Sequence, residues 1–205
     1  MTSARFTRFT TALLQTIYME SCQQFRRPFV WFCFVCYFAI AFGDTVQSRW
    51  TASGNIWING ADMIVRRAII YSILGSLAVA GIMAESMSRD RQAGAVEMIL
   101  STGIGRCALA LGRFVVSFFT AALTAAMFVP GVILGSMMAG IPQEQIGPFV
   151  GSHYLQAFTI IVLPNYFVVA ALVFAVSARR QRQTAAYLAV VGFLAIWILT
   201  RMLLG

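Results

Sequence analysis

Few residues of this chain are of a type that does chemistry, and their spacing argues against most of it. His153 is the only histidine, so a histidine metal cluster cannot be assembled, and a Ser–His hydrolase would rest on one loop residue. It reads as ordinary surface. Cys33 and Cys36 form a C-x-x-C, a spacing that serves metal and redox sites, but they fall inside the apolar run Phe29 to Gly43, where such a site would lack polar neighbours. They read as packing residues, as do Cys22 and Cys107, because a free thiol behaves as a small hydrophobe. The sequence has no G-x-x-x-x-G-K-S/T loop to cradle phosphates, and neither H-E-x-x-H nor G-x-S-x-G occurs. The chain is therefore expected to bind no cofactor and to hydrolyse no ATP by itself.

Two polar residues inside apolar surroundings remain. Glu85 lies near the end of an apolar segment, where an ionisable group is a functional candidate by default. Its closeness to Arg89 gives the plainer reading, a charge at headgroup level beside its partner. Asn165 follows Pro164, and would either line a polar pathway or satisfy backbone groups freed by the proline; the second is the more economical role.

The elements that must position these residues are apolar. Of the 205 residues, 60 % are hydrophobic and 11 % charged, which marks an integral membrane protein. The net charge of +8 comes from arginine alone, since there is no lysine. The arginines cluster beside apolar segments, which points to the cytoplasmic membrane face and not to a nucleic acid.

In order, residues 1–28 read as a cytoplasmic, partly amphipathic lead-in helix. Spans follow at about 29–43, 64–86, 114–140, 155–178 and 185–204, with a polar loop at 87–113, all in a single transmembrane domain covering 1–205. A signal peptide cleaved after Ala39-Ile40-Ala41 is the rival for the first span, and the long polar lead-in argues against it. The segment from Asp44 to Met63, with Trp50 and Trp57, is placed outside. Ser72, Ser76, Ala80 and Ala84 form a row at fourfold spacing that lets another helix approach closely, and Gly131, Gly135 and Ala139 repeat the pattern. Pro130 and Pro164 are expected to kink their spans.

With the N-terminus inside, the inner segments hold Arg5, Arg8, Arg26, Arg27, Arg89, Arg91, Arg106, Arg113, Arg179, Arg180 and Arg182, eleven in all, against four outside. Arg66 and Arg67 are among those four and count against the orientation. The fold class is thus all-α, a polytopic membrane helical bundle of about five transmembrane helices, an N-terminal interfacial helix and a cytoplasmic helix in the 87–113 loop.

That loop organises the chain. After Arg89, Asp90 and Arg91, the residues Val96, Ile99, Leu100 and Ile104 recur at intervals of three and four and share one helical face, with Glu97 and Ser101 elsewhere. A short helix with one apolar stripe, held between two spans, either lies on the bilayer or presses into a partner protein.

The run Arg89-Asp90, Gly94, Glu97, Ile99-Leu100-Ser101-Thr102, Arg106 and Leu111-Gly112-Arg113 resembles the loop between spans two and three of exporter-type (ABC-2-like) ATP-binding-cassette permeases, with Gly103 where a proline usually stands. Ile146-Gly147-Pro148-Phe149, Leu163-Pro164-Asn165, Phe174-Ala175, Glu20 and Arg26-Arg27-Pro28 are similar to the subgroup that includes chains fused to a zinc aminopeptidase. No peptidase residues accompany them.

The resemblance implies a permease subunit of the bacterial inner membrane, N-terminus cytoplasmic, paired with a second permease half. A separate ABC ATPase subunit would hold ATP and Mg. Arg89, Asp90, Arg91, Val96, Glu97, Ile99 and Leu100 would form the coupling helix and its approach. Such permeases usually have six spans per half, so five suggest a partial product or the N-terminal part of a longer protein. The rival functions are a non-enzymatic membrane scaffold or assembly protein, which needs no amphipathic coupling helix, and an intramembrane enzyme, for which paired catalytic groups are lacking.

Overall fold

The computed structural model describes residues 2–51, 57–92, 94, 101, 105–138, 146–180 and 183–204. Its elements are helical: α1 (Thr2–Phe25), α2 (Pro28–Thr51), α3 (Ala61–Gln92), α4 (Arg106–Ala126), α5 (Phe128–Ser136), α6 (Gly151–Ala157), a π-helical turn (Phe158–Val162), α7 (Leu163–Arg180) and α8 (Gln183–Leu204). Among the described residues, four stretches are long and apolar enough to cross a membrane, Pro28–Ser48, Ala61–Arg89, Arg106–Ser136 and Gly151–Ala178. The last expected span coincides with α8, which contributes the shorter apolar stretch Thr184–Trp197.

Helix boundaries differ from the sequence reading where a charge finds a partner. The first span does not stop at Gly43, because α2 continues through Asp44, whose carboxylate is neutralised by Arg67. Likewise the helix of the third span begins at Arg106 and not at Phe114, carrying Arg113 buried beside Glu20.

Prolines account for the two irregularities. A proline supplies no N–H to the carbonyl four residues before it, and its ring crowds that carbonyl. For Pro130 that residue is Ala126, the last residue of α4, and the chain turns at Met127 before α5 begins. For Pro164 it is Ile160, at the centre of the π-helical turn, where Leu163 N–H reaches back five residues to Phe158 O. The wide turn absorbs the missing donor without ending the helix.

The contacts divide the chain into two compact units. Unit 1 comprises residues 1–27, 76–121 and 167–205; unit 2 comprises 28–75 and 122–166. In unit 1, Val79, Met83, Val116, Val169, Val173 and Val190 are buried. Phe114 packs edge-on to Phe174 with ring centroids 5.3 Å apart. In unit 2, Val30, Tyr37, Ile64, Tyr71, Phe128 and Tyr166 form the core. There α5 lies so close to α2 that a Cβ on Gly131 would stand 2.8 Å from Ala41 Cβ and 2.8 Å from Phe38 O, and one on Gly135 would stand 2.8 Å from Thr45 Cβ. The small side chains are what permit the crossing.

Candidate functional site

In unit 1 the site is built on α1, whose amphipathicity is reversed. Thr16, Glu20 and Gln24, one helical turn apart, are buried, whereas Leu14, Tyr18 and Met19 face outward, Tyr18 at 73 % exposure. Leaving such side chains in water forfeits about 1.5–3 kcal/mol each. In a membrane protein this outer face belongs against hydrocarbon.

The inner polar face docks on two other helices. Glu20, 3 % exposed, accepts from Ser86 Oγ at 2.7 Å through Oε1 and from Arg89 Nη2 at 3.0 Å through Oε2. Arg113 Nε lies 3.8 Å from the same Oε2. One turn on, Gln24 Nε2 donates to Ser117 Oγ at 3.2 Å, while its Oε1 has no hydrogen-bond partner. One turn back, Thr16 covers Gly112, where a Cβ would come within 2.7 Å of Thr16 Cγ2. A single buried carboxylate thus holds the last turns of α3 and the first turns of α4.

This arrangement corrects the expected pairing of Glu85 with Arg89. Arg89 is drawn to the buried Glu20, and Glu85 instead has Arg27 Nη1 at 2.9 Å from its Oε1. That contact is close enough for charge attraction but not aligned as a hydrogen bond. Asp90 and Arg91 belong to the last turn of α3. Val96, Glu97, Ile99, Leu100 and Ile104, the apolar stripe and its acidic neighbour, lie outside the described residues.

Unit 2 holds a second polar cluster. Arg67 is buried and spends its guanidinium on three acceptors: Nε donates to Asp44 Oδ2 at 2.8 Å, Nη1 to Ile58 O at 2.9 Å and Nη2 to Ser48 Oγ at 2.7 Å. Tyr71 donates to the same Asp44 oxygen at 2.9 Å. Tyr37 donates to Tyr71 O at 2.8 Å, and the hydroxyls of Tyr37 and Tyr166 are hydrogen-bonded. Asn165 Nδ2 donates to Ser72 Oγ at 3.1 Å, so its side chain bridges to α3. Beyond the spans, Asn59 Nδ2 donates to Gly147 O at 2.7 Å.

The other expected residues are placed as follows. Ser72, Ser76, Ala80 and Ala84 are all buried along α3. His153 lines a cavity of about 190 Å³ with Val65, Gln156, Ala157, Ile160 and Ile161. Cys33 is buried and Cys36 half-buried, but Cys22 and Cys107 are exposed, so the packing reading does not extend to them. Among the described residues no three His, Cys, Asp or Glu side chains gather as a metal site.

Glu20 is the residue that sequence reasoning missed as part of a site. A signal for it existed: Thr16, Glu20 and Gln24 form a polar row at fourfold spacing, with the apolar Leu14, Tyr18 and Met19 off that row. Residues 16–196 match the family model described as ABC-2 family transporter protein. No curated protein and no solved structure gives a significant match. Spanning most of the chain, and agreeing with an all-helical fold carrying four membrane-crossing stretches, the match establishes that the chain belongs to the ABC-2 transporter family, as a membrane permease component.

Proposed function

We propose that the chain is the membrane-spanning subunit of an ATP-driven exporter, that it works with a separate ATPase subunit and a second permease half, and that segment 93–104 is where the ATPase acts. One observation carries this reading: the helix that leads into the segment is too long for the membrane. Ala61–Gln92 has 32 residues. At 1.5 Å per residue it is about 48 Å long, against a hydrocarbon core of about 30 Å. Tilts of up to about 40° leave roughly 5 Å or more of it to project beyond the core.

The polar end of α3, carrying Arg89, is the part best suited to project. It would hold segment 93–104 clear of the lipid, where a soluble partner can grip its apolar stripe. The arginine distribution supports an orientation with this end in the cytoplasm together with the N-terminus, on the ATP-containing side of the plasma (inner) membrane. ATP and Mg would be bound by the partner, whose closure would push on the segment and rock the spans.

The test is affinity purification of the tagged chain in mild detergent, with mass spectrometry of what accompanies it. The expected result is an ATPase carrying a phosphate-binding loop, lost in Leu100→Asp while membrane insertion is kept. Recovery of the chain with no ATPase would replace this reading with a membrane scaffold.

A further inference from the structure

We infer that Glu20 is a positioning residue for energy coupling, whose carboxylate locks α1 to both stems of segment 93–104 so that the three move as one body. The inference rests on the function proposed above and adds to it the route by which thrust enters the membrane.

The argument is one of attachment. A segment that is pushed transmits force only if its stems cannot slide past each other. Here the stems are the end of α3 and the start of α4, and Glu20 meets both, through Ser86 and Arg89 on one side and Arg113 on the other. The Ser86 and Arg89 arms are hydrogen bonds, the first buried and the second charge-assisted, and the Arg113 arm is a charge attraction across 3.8 Å between two buried side chains, which water does not screen. Gly112 lets α1 approach to the distance at which a carboxylate reaches both helices.

The other face of α1 supplies the anchor. Leu14, Tyr18 and Met19 point away from the clamp, and burying them in lipid resists movement of α1 out of the membrane plane. Force on segment 93–104 then meets a helix fixed in the bilayer, and is turned along α3 and α4 instead of being lost in local bending.

Glu20→Gln tests this, since the amide keeps the size but loses the charge that two arginines share. Gln23→Ala is the control, because it alters an exposed position of α1 beside the polar row without touching that charge. The chain carries spin labels at Tyr18→Cys and Arg106→Cys, with the four native cysteines replaced by alanine, and is placed in lipid nanodiscs with whatever ATPase co-purifies. The unsubstituted clamp should give one narrow distance distribution, unchanged by ATP. Glu20→Gln should broaden it, keep the ATPase bound, and lower the permease's stimulation of ATP hydrolysis by about five- to tenfold; Gln23→Ala should do none of these.

A distribution in Glu20→Gln as narrow as in the parent would overturn the inference, and so would loss of ATPase co-purification in Glu20→Gln, which would mark an assembly role. If no ATPase is recovered even with the parent chain, the proposed function fails, while the nucleotide-free distance distributions still decide whether Glu20 clamps the two stems.

Discussion

The Arg67 guanidinium and the Asp44 carboxylate form an ion pair inside unit 2, with Nε 2.8 Å from Oδ2, and the two ends of the pair have different surroundings. The Arg67 side chain is 5 % exposed and that of Asp44 47 %. The arginine is therefore committed to protein acceptors, and the carboxylate is what keeps its charge tolerable there. The neighbouring pair, Arg66 with Asp62, has the same chemistry at 71 % and 69 % exposure.

Adjacent arginines in one helix should thus respond very differently to substitution. Arg66→Ala removes an exposed i, i+4 pair and should cost about 0.3–0.5 kcal/mol. Arg67→Ala strands the Ile58 carbonyl and the Asp44 carboxylate, and should cost about 2–4 kcal/mol, somewhat under the usual figure for a fully buried pair because Asp44 is half in solvent. Thermal unfolding of the two variants in one detergent measures the difference. Equal shifts would show that Arg67 is not held as described.

The same pair explains why part of this fold was legible in the sequence and part was not. The apolar runs, the two proline irregularities and the all-helical class follow from local composition, which hydropathy and the missing proline N–H report directly. Arg67 counted against the orientation because a sum over loops cannot see that Asp44, 23 residues away, pulls it out of the loop and into the unit. Glu20 and Arg89 are 69 residues apart, and no spacing rule joins them. Glu85 and Arg89 are one turn apart, which suggests a pair, but the buried carboxylate of Glu20 takes Arg89 in preference to Glu85, which is partly exposed and has Arg27 beside it.

Gly75 should be irreplaceable for a reason that two further substitutions can remove. A Cβ there would overlap the hydroxyls of both Tyr37 and Tyr166, and Tyr166 is among the largest fully buried side chains. Gly75→Ala is expected to destabilise by about 1–3 kcal/mol, as overpacking of a tight site does. Adding Tyr37→Phe and Tyr166→Phe removes the two closest overlaps and leaves only the Tyr166 ring carbon, 2.6 Å from the methyl, to shift, so the triple variant should lose less than the sum of its parts. Additive losses in a thermal unfolding series would contradict the geometry.

The crossing of α2 and α5 makes a graded prediction. A Cβ at Gly131 meets the Phe38 carbonyl at 2.8 Å, which is backbone and cannot rotate away, whereas at Gly135 the nearest atom is Thr45 Cβ at 2.8 Å, with Phe42 O at 3.0 Å. Gly131→Val should therefore lower the unfolding temperature more than Gly135→Ala, with losses of about 1–3 kcal/mol for the larger side chain. The reverse order would mean that the helices separate more easily at Gly131 than the close backbone approach allows.

The π-helical turn before Pro164 yields a prediction about length instead of side chains. Pro164→Ala restores a donor for the Ile160 carbonyl, yet a regular α-helix through the turn would rotate α6 by about 100° relative to α7. That would pull Tyr154 and Ala157 from their buried places, so the packing on both sides should hold the turn open and Pro164→Ala alone should change stability little. Deleting Ile160, which is 71 % exposed, takes out one residue and lets both flanks keep their faces in a regular helix. The deletion combined with Pro164→Ala should be at least as stable as the parent, with up to about 3 kcal/mol available from the removed proline defect. Thermal unfolding of the single and combined variants, with size-exclusion elution as a check on folding, measures this. A combined variant that unfolds well below the parent would show that the extra residue is needed by the packing of unit 2 and is not a local accommodation to Pro164.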